Sequence, residues 1–136
     1  MKVGIDTNVL FYSLNKDNPF HREAKENLAT LVEHCSAVIT QQNLVELAAA
    51  LTKRGITPKE TEKHIRNFAE AIPILKPLPE TLELFFDRMK DSTLTGARLF
   101  DLYLAVTLMS NGVDHLYTYN ERDFQNIEGL KLWRPL

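Results

Sequence analysis

The chain has 136 residues, 44% of them hydrophobic and 25% charged, with a formal net charge of −2. That length fits one domain with a real core, and the composition excludes disordered and fibrous classes. No apolar run reaches the roughly 18 residues of a membrane span, and the amino terminus enters a strand-like pattern at once. The expectation is therefore a single domain over residues 1–136, cytoplasmic and without membrane attachment. The lone Cys35 cannot form an internal disulfide and reads as a small apolar core residue.

Taken in chain order, residues 2–5 read as a strand, followed immediately by Asp6, Thr7 and Asn8. Residues 18–35 form a helix with Phe20, Ala24, Leu28, Leu31 and Val32 at helical spacing. A second strand spans 36–40. The next helix, 41–55, stops at Gly55, and another opens with Thr57 as N-cap and Pro58 in its first turn. A short strand at 72–75 precedes a helix over 79–90 that aligns Leu82, Phe85, Phe86 and Met89. Residues 97–112 form the most apolar helix. Strands at 114–119 and 130–133 flank a small acidic helical turn at 120–127. Strands separated by helical crossovers imply an α/β fold, a three-layer sandwich with a short, mostly parallel sheet flanked by helices.

In open parallel sheets, ligands bind beyond the carboxyl ends of the strands. Asp6 follows the first strand, Glu46 lies in the helix after the second, Asp101 opens the apolar helix, and Thr118 and Asp123 follow the next strand. Each has an ordinary explanation. Asp6 suits a helix N-cap, Glu46 a solvated helix face, and Asp123 a turn. Asp101, among Leu99, Phe100, Leu102, Tyr103 and Leu104, needs compensation, which Arg98 one turn earlier would supply as an ion pair. Capping does not explain four acids placed together at strand ends. Carboxylates about 5 Å apart repel by about 3 kcal/mol per pair at an effective dielectric of 20, so such a cluster calls for cations. Hard oxygen donors without His or Cys select Mg²⁺ or Mn²⁺, which bind and polarise phosphodiesters. His21, His34 and His64 read as solvated and His115 as unpartnered, so none completes a nucleophile–base pair.

Without the four candidate ligands, 16 basic residues face 14 acidic ones. The segment 53–66 gathers Lys53, Arg54, Lys59, Lys63 and Arg66 and is a candidate RNA-binding stretch, or else a solvated helix laced with pairs such as Glu62–Arg66. No aromatic-platform motif for RNA is present. Two helix faces, Phe20–Leu28–Leu31 and Leu82–Phe85–Phe86–Met89, offer more apolar surface than one small sheet needs, and a homodimer is expected.

Four motifs carry a family resemblance: "IDTN" (Asp6, Thr7, Asn8), "NLVEL" (Glu46), "RLFDLYLA" (Asp101) and "TYNERDF" (Thr118, Asn120, Asp123). In these, and over essentially its whole length, the chain resembles the PIN domains of VapC-type toxin nucleases. It departs from the pattern at Phe100, where many relatives carry a polar residue or His. The resemblance implies a PIN-like sandwich and a metal-dependent endoribonuclease, with Asp6, Glu46, Asp101 and Asp123 as catalytic metal ligands for Mg²⁺ or Mn²⁺. Thr7 and Thr118 would position water or carboxylates, and Asn8 and Asn120 would steady the loops. It further implies an RNA substrate cut to 5′-phosphate and 3′-hydroxyl ends, and a small antitoxin that covers an apolar groove and places an arginine among the acids. Alternatives are a non-toxin PIN-type RNA-processing nuclease and a catalytically silent RNA-binding or scaffold module. A haloacid dehalogenase-type phosphatase also places Asp after its first strand but needs a second Asp two residues on, where this chain has Asn8.

Overall fold

The computed structural model describes residues 1–136. Its elements run β1 (Val3–Ile5), α1 (Thr7–Leu14), α2 (His21–Glu33), β2 (Ala37–Thr40), α3 (Gln41–Lys53), α4 (Pro58–Ala71) and β3 (Ile74–Leu75). They continue with α5 (Thr81–Lys90), α6 (Arg98–Ser110), β4 (His115–Tyr117), α7 (Glu121–Phe124) and β5 (Lys131–Leu132). All strand pairs are parallel, in the order β3-β2-β1-β4-β5. The chain winds outward from β1 in one direction through β2 and β3, then returns to place β4 on the other side of β1. The β1/β4 boundary is thus the switch point at which a crevice opens beyond the strand ends.

The strands are buried apolar runs because helices cover both faces of the sheet. One core joins Val3, Ile5 and Ile39 of the sheet to Val9 and Leu10 of α1, Leu28 and Leu31 of α2, and Leu47 and Leu51 of α3. The other joins Val38 and Leu116 to α6 (Leu104, Ala105, Leu108) and to Phe124 of α7. Gly4 allows this second layer to sit close: a Cβ there would lie 2.5 Å from Leu108 Cδ1, and Leu108 is itself fully buried. The missing side chain on β1 therefore sets how near α6, the helix that carries Asp101, approaches the strand that ends in Asp6. No helix is long and apolar enough to cross a membrane.

Several expectations need correction. Cys35 is exposed, not core. It takes φ +54° just past α2, where the Cys35 N–H donates to Val32 O and the Ser36 N–H to Leu31 O, a helix-end geometry that turns its side chain outward. Leu28 and Leu31 pack into the core, so the α2 stripe is an internal surface; only Phe20 of that set is exposed. On α5, Leu82, Phe86 and Met89 are exposed, while Phe85 packs edge-on to Tyr103. His21 is not solvated: its Nδ1 lies 2.8 Å from Tyr12 O, and His115 Nδ1 lies 2.8 Å from Asp114 Oδ1. The helix expected from residue 18 begins at His21 because Asn18 Oδ1 accepts the Phe20 N–H and Asn18 O the His21 N–H, forming a turn.

Candidate active site

The parallel register pairs Gly4 with Leu116 and Ile5 with Tyr117, so the next residues, Asp6 and Thr118, emerge side by side where the strands end. The Thr118 hydroxyl donates to Asp6 Oδ2 at 2.7 Å, and the Thr7 N–H donates to Asp6 Oδ1 at 2.8 Å. Asp6 is thus the N-cap of α1, as its residue type suggests, and both its oxygens are fixed. The Thr118 hydroxyl also accepts from the Asn120 N–H (2.9 Å) and the Asn8 side-chain amide (3.4 Å), while Asn8 Oδ1 accepts the Tyr119 N–H. Asn8 therefore ties the β4–α7 loop to α1, whereas Asn120 contributes its backbone and not a side-chain cap.

Glu46 arrives from α3. Its Oε1 accepts the Thr7 hydroxyl at 3.0 Å, and that hydroxyl in turn accepts from the Asn43 side-chain amide at 3.1 Å. Asn43 is fully buried, and its Oδ1 accepts both the backbone N–H and the hydroxyl of Thr40. Sequence reasoning passes over it, although Thr40-x-x-Asn43 at a strand-to-helix junction is a capping-box signal. This box fixes the entry angle of α3 and hence the reach of Glu46 toward Asp6.

Asp101 lies in the first turn of α6 and Asp123 in α7. The Arg98 guanidinium spans them, with Nε 4.0 Å from Asp101 Oδ2 and 3.6 Å from Asp123 Oδ1. Its Nη2 donates to Asp123 O at 3.4 Å. The ion pair weighed for Asp101 exists, but Arg98 is shared with Asp123. Nε itself is shielded from solvent and meets neither carboxylate in hydrogen-bonding geometry. Asp101 is also half-buried instead of enclosed on every side, since Phe100 beside it is exposed.

The acids act on one another electrostatically. Burial, reinforced by Glu46 and Asp123 and opposed by the hydrogen bonds from Thr118 and Thr7, pushes the Asp6 carboxyl up to about 6. Burial and then Asp6, Asp123 and Glu46 push Asp101 up to about 7 against the pull of Arg98. As they stand, no three carboxylates close on one point in the way an ion's ligands do. Arg98 and the threonine hydroxyls partner them instead. The donor set still fits a hard divalent ion: the carboxylates are all oxygen donors, their repulsion is only partly relieved by one cation, and no His or Cys intrudes. A groove of about 1030 Å³ leads away from Arg98 and Asp123 past Ser92, Thr93 and Thr95 toward Asn126.

The basic segment stands apart. Helix α3 begins where β2 ends, and Lys53 and Arg54 lie about two turns beyond Glu46 along it, roughly 10 Å of helix rise. Arg54 lies over the Phe11 ring, Lys63 meets Glu60 at 3.4 Å and Arg66 meets Glu62 at 3.0 Å, while Lys59 is exposed near the start of α4.

The PIN-domain family matches residues 3–130. The chain is 26% identical to the ribonuclease VapC24 of Mycobacterium tuberculosis over 145 aligned positions, covering 98% of this chain and 97% of that protein. Among solved structures, the fold is similar to M. tuberculosis VapC20, a sarcin-ricin loop cleaving toxin, with a TM-score of 0.78 at 12% identity, covering 98% of this chain and 100% of that one. It is also similar to a chain of the Rickettsia felis VapBC2 complex bound to a promoter DNA fragment, with a TM-score of 0.75 at 19% identity and the same coverage.

Proposed function

The chain belongs to the PIN-domain family, and from that membership together with its carboxylate site we propose that it is a metal-dependent endoribonuclease, the toxin half of a toxin–antitoxin pair. The observation that carries the reading is that Glu46, Asp101 and Asp123, from three separate helices, lie close enough to Asp6 at the β1/β4 switch point for their charges to help push the Asp6 and Asp101 carboxyls up. The likeness to an M. tuberculosis ribonuclease over nearly the full length supports the same activity.

In this reading Asp6, Glu46, Asp101 and Asp123 would hold Mg²⁺ or Mn²⁺. Bound there, the ion supplies charge neutralisation for the phosphodiester oxygens and acidity for the attacking water. The chain's own contribution is placement. Thr118 and the Thr7 N–H hold Asp6 through both oxygens, and the Thr7 hydroxyl holds Glu46. Asn8 fixes the loop that bears Thr118, and Arg98 keeps Asp101 and Asp123 facing each other. Hydrolysis of RNA at such a site leaves 5′-phosphate and 3′-hydroxyl ends. Lys53, Arg54, Lys59, Lys63 and Arg66 then serve distal parts of the RNA and not the scissile phosphate.

Partners follow the same reading. Similar folds occur in VapBC complexes, among them those of Rickettsia felis and Haemophilus influenzae, which favours a small antitoxin here too. A cleft of about 360 Å³, lined by Phe11, Leu14, Leu51 and Ile56 with Lys16, Arg54 and His64 beside them, suits an antitoxin segment that carries both apolar and acidic side chains, and would share Arg54 with the RNA-binding stretch. The exposed α5 side chains Leu82, Phe86 and Met89 suit a homodimer. A fluorogenic RNA assay with Mn²⁺, Mg²⁺ or EDTA, on wild type and Asp6→Asn, tests the activity. Cleavage that requires the metal and Asp6 supports it, and its absence points to a silent binding module.

A further inference from the structure

Five aromatic rings gather on the α1/α2 side of the β4 carboxyl end. Tyr119 stacks on Phe20 with centroids 4.7 Å apart and rings inclined by 26°, and Tyr12 lies 6.1 Å from Phe20 at 25°. Tyr117 and Trp133 back them. Beneath the rings runs a polar ladder. Tyr119 Oη donates to Glu23 Oε1 at 2.7 Å, which leaves Tyr117 Oη to donate to Tyr119 Oη at 2.6 Å and to accept from the Asn27 amide at 3.1 Å. Every ring but that of Phe20 is thereby at least partly covered; Phe20 remains 46% exposed.

An exposed phenylalanine is unremarkable alone. The turn that carries this one is hydrogen-bonded on both sides. Asn18 Oδ1 accepts the Phe20 N–H at 2.8 Å, and His21 Nδ1 ties the next residue to Tyr12 O. Phe20 is linked to the site through the end of β4: Tyr119, on which it stacks, follows Thr118, the partner of Asp6, and the Tyr119 N–H is held by Asn8. We infer that the Phe20 ring, braced by Tyr119 and Tyr12, is a stacking platform for one unpaired nucleobase of an RNA strand whose phosphate lies at the carboxylates. This rests on the nuclease reading and gives one unpaired base of its substrate a seat on Phe20. Stacking on a preorganised ring is sequence-tolerant, costs little ordering entropy, and is denied to a base paired within a duplex.

The test uses a 5′-labelled 10-nucleotide oligoadenylate in Ca²⁺, with affinity read by anisotropy and stacking by quenching of 2-aminopurine placed at successive positions. Wild type should bind the single strand saturably, quench one position most, and bind the corresponding duplex more weakly. Phe20→Ala and Phe20→Leu should lose roughly 5- to 150-fold in affinity, as one base–aromatic stack contributes, together with the quench. Phe20→Trp should keep both. Phe20→Leu retains apolar bulk against Tyr119, so a loss of affinity with unchanged melting separates stacking from folding. Wild-type affinity in Phe20→Leu, equal binding of duplex, or no saturable binding to wild type overturns the platform; the first of these outcomes fits a protein partner over Phe20 instead. Mn²⁺-dependent cleavage that ignores Phe20 defeats the platform alone, whereas Phe20-dependent binding with no cleavage defeats the nuclease reading.

Discussion

Arg98 Nε lies 3.6 Å from Asp123 Oδ1, so the one cation at the cluster binds a carboxylate 25 residues away in the chain as well as its helical neighbour Asp101. Without a divalent ion it is the positive charge that relieves the repulsion at Asp101, while hydrogen bonds from Thr118 and Thr7 relieve Asp6. Arg98→Met should therefore lower the metal-free melting temperature, by about 3–6 °C if the part-exposed pairs contribute about 1 kcal/mol. It should also enlarge the stabilisation that Mn²⁺ gives, because the ion no longer competes with the guanidinium. Differential scanning fluorimetry in EDTA and in Mn²⁺ reads both effects.

The raised carboxyls make a pH prediction with a definite sign. Asp6 near 6 and Asp101 near 7 both bind protons more tightly in the folded chain than in the unfolded one. Their contribution to stability is complete below the ordinary carboxylate range near 4 and is lost as pH rises through 6 and then 7. Asp101→Asn removes one source of repulsion while keeping shape. In EDTA its melting temperature should match wild type near pH 4 and exceed it by several degrees at pH 8. A variant less stable than wild type at pH 8 would mean that the pair with Arg98 outweighs the repulsion.

Thr118 hydrogen-bonds to Asp6 through its hydroxyl, while its methyl only fills space. Thr118→Val keeps the volume but leaves Asp6 Oδ2 and the Asn120 N–H without that partner. The expected cost is about 1–3 kcal/mol in urea unfolding, with RNA cleavage reduced, whereas Thr118→Ser should retain most of both.

Gly4→Val should destabilise by about 1–3 kcal/mol, because the added atoms overlap buried Leu108. Since the displaced helix carries Asp101, cleavage should fall even where the variant is fully folded, as checked by circular dichroism alongside the RNA assay.

The acid cluster is legible in the sequence because strand ends are. An apolar run followed by Asp6, or by Thr118 and then Asp123, places those residues at one edge whatever the details of packing. Which residues hold the carboxylates is less legible. Arg98 can be assigned to Asp101 by helical spacing, but nothing local says that α7 brings Asp123 to the same guanidinium. Asn43 carries a capping-box signal, yet its contact with Thr7 depends on how α3 crosses α1. Periodicity marks Leu28 and Leu31 as an apolar stripe without saying whether the chain's own core or a partner covers it; the core does, mainly through α1. Tyr12, Phe20 and Tyr119 form no motif in the chain, because the turn at Asn18 and the end of β4 bring them together only in three dimensions.

In the proposed nuclease the four carboxylates act as one metal-holding unit for RNA hydrolysis. The most direct test of that unit is the initial rate of RNA cleavage against Mn²⁺ concentration for purified wild type and Asp101→Asn. Loss of a ligand should cost at least the roughly 10- to 100-fold that outer-shell partners of metal ligands cost, with the residual activity shifted to higher Mn²⁺. An Asp101→Asn rate equal to wild type at every Mn²⁺ concentration would contradict the assignment.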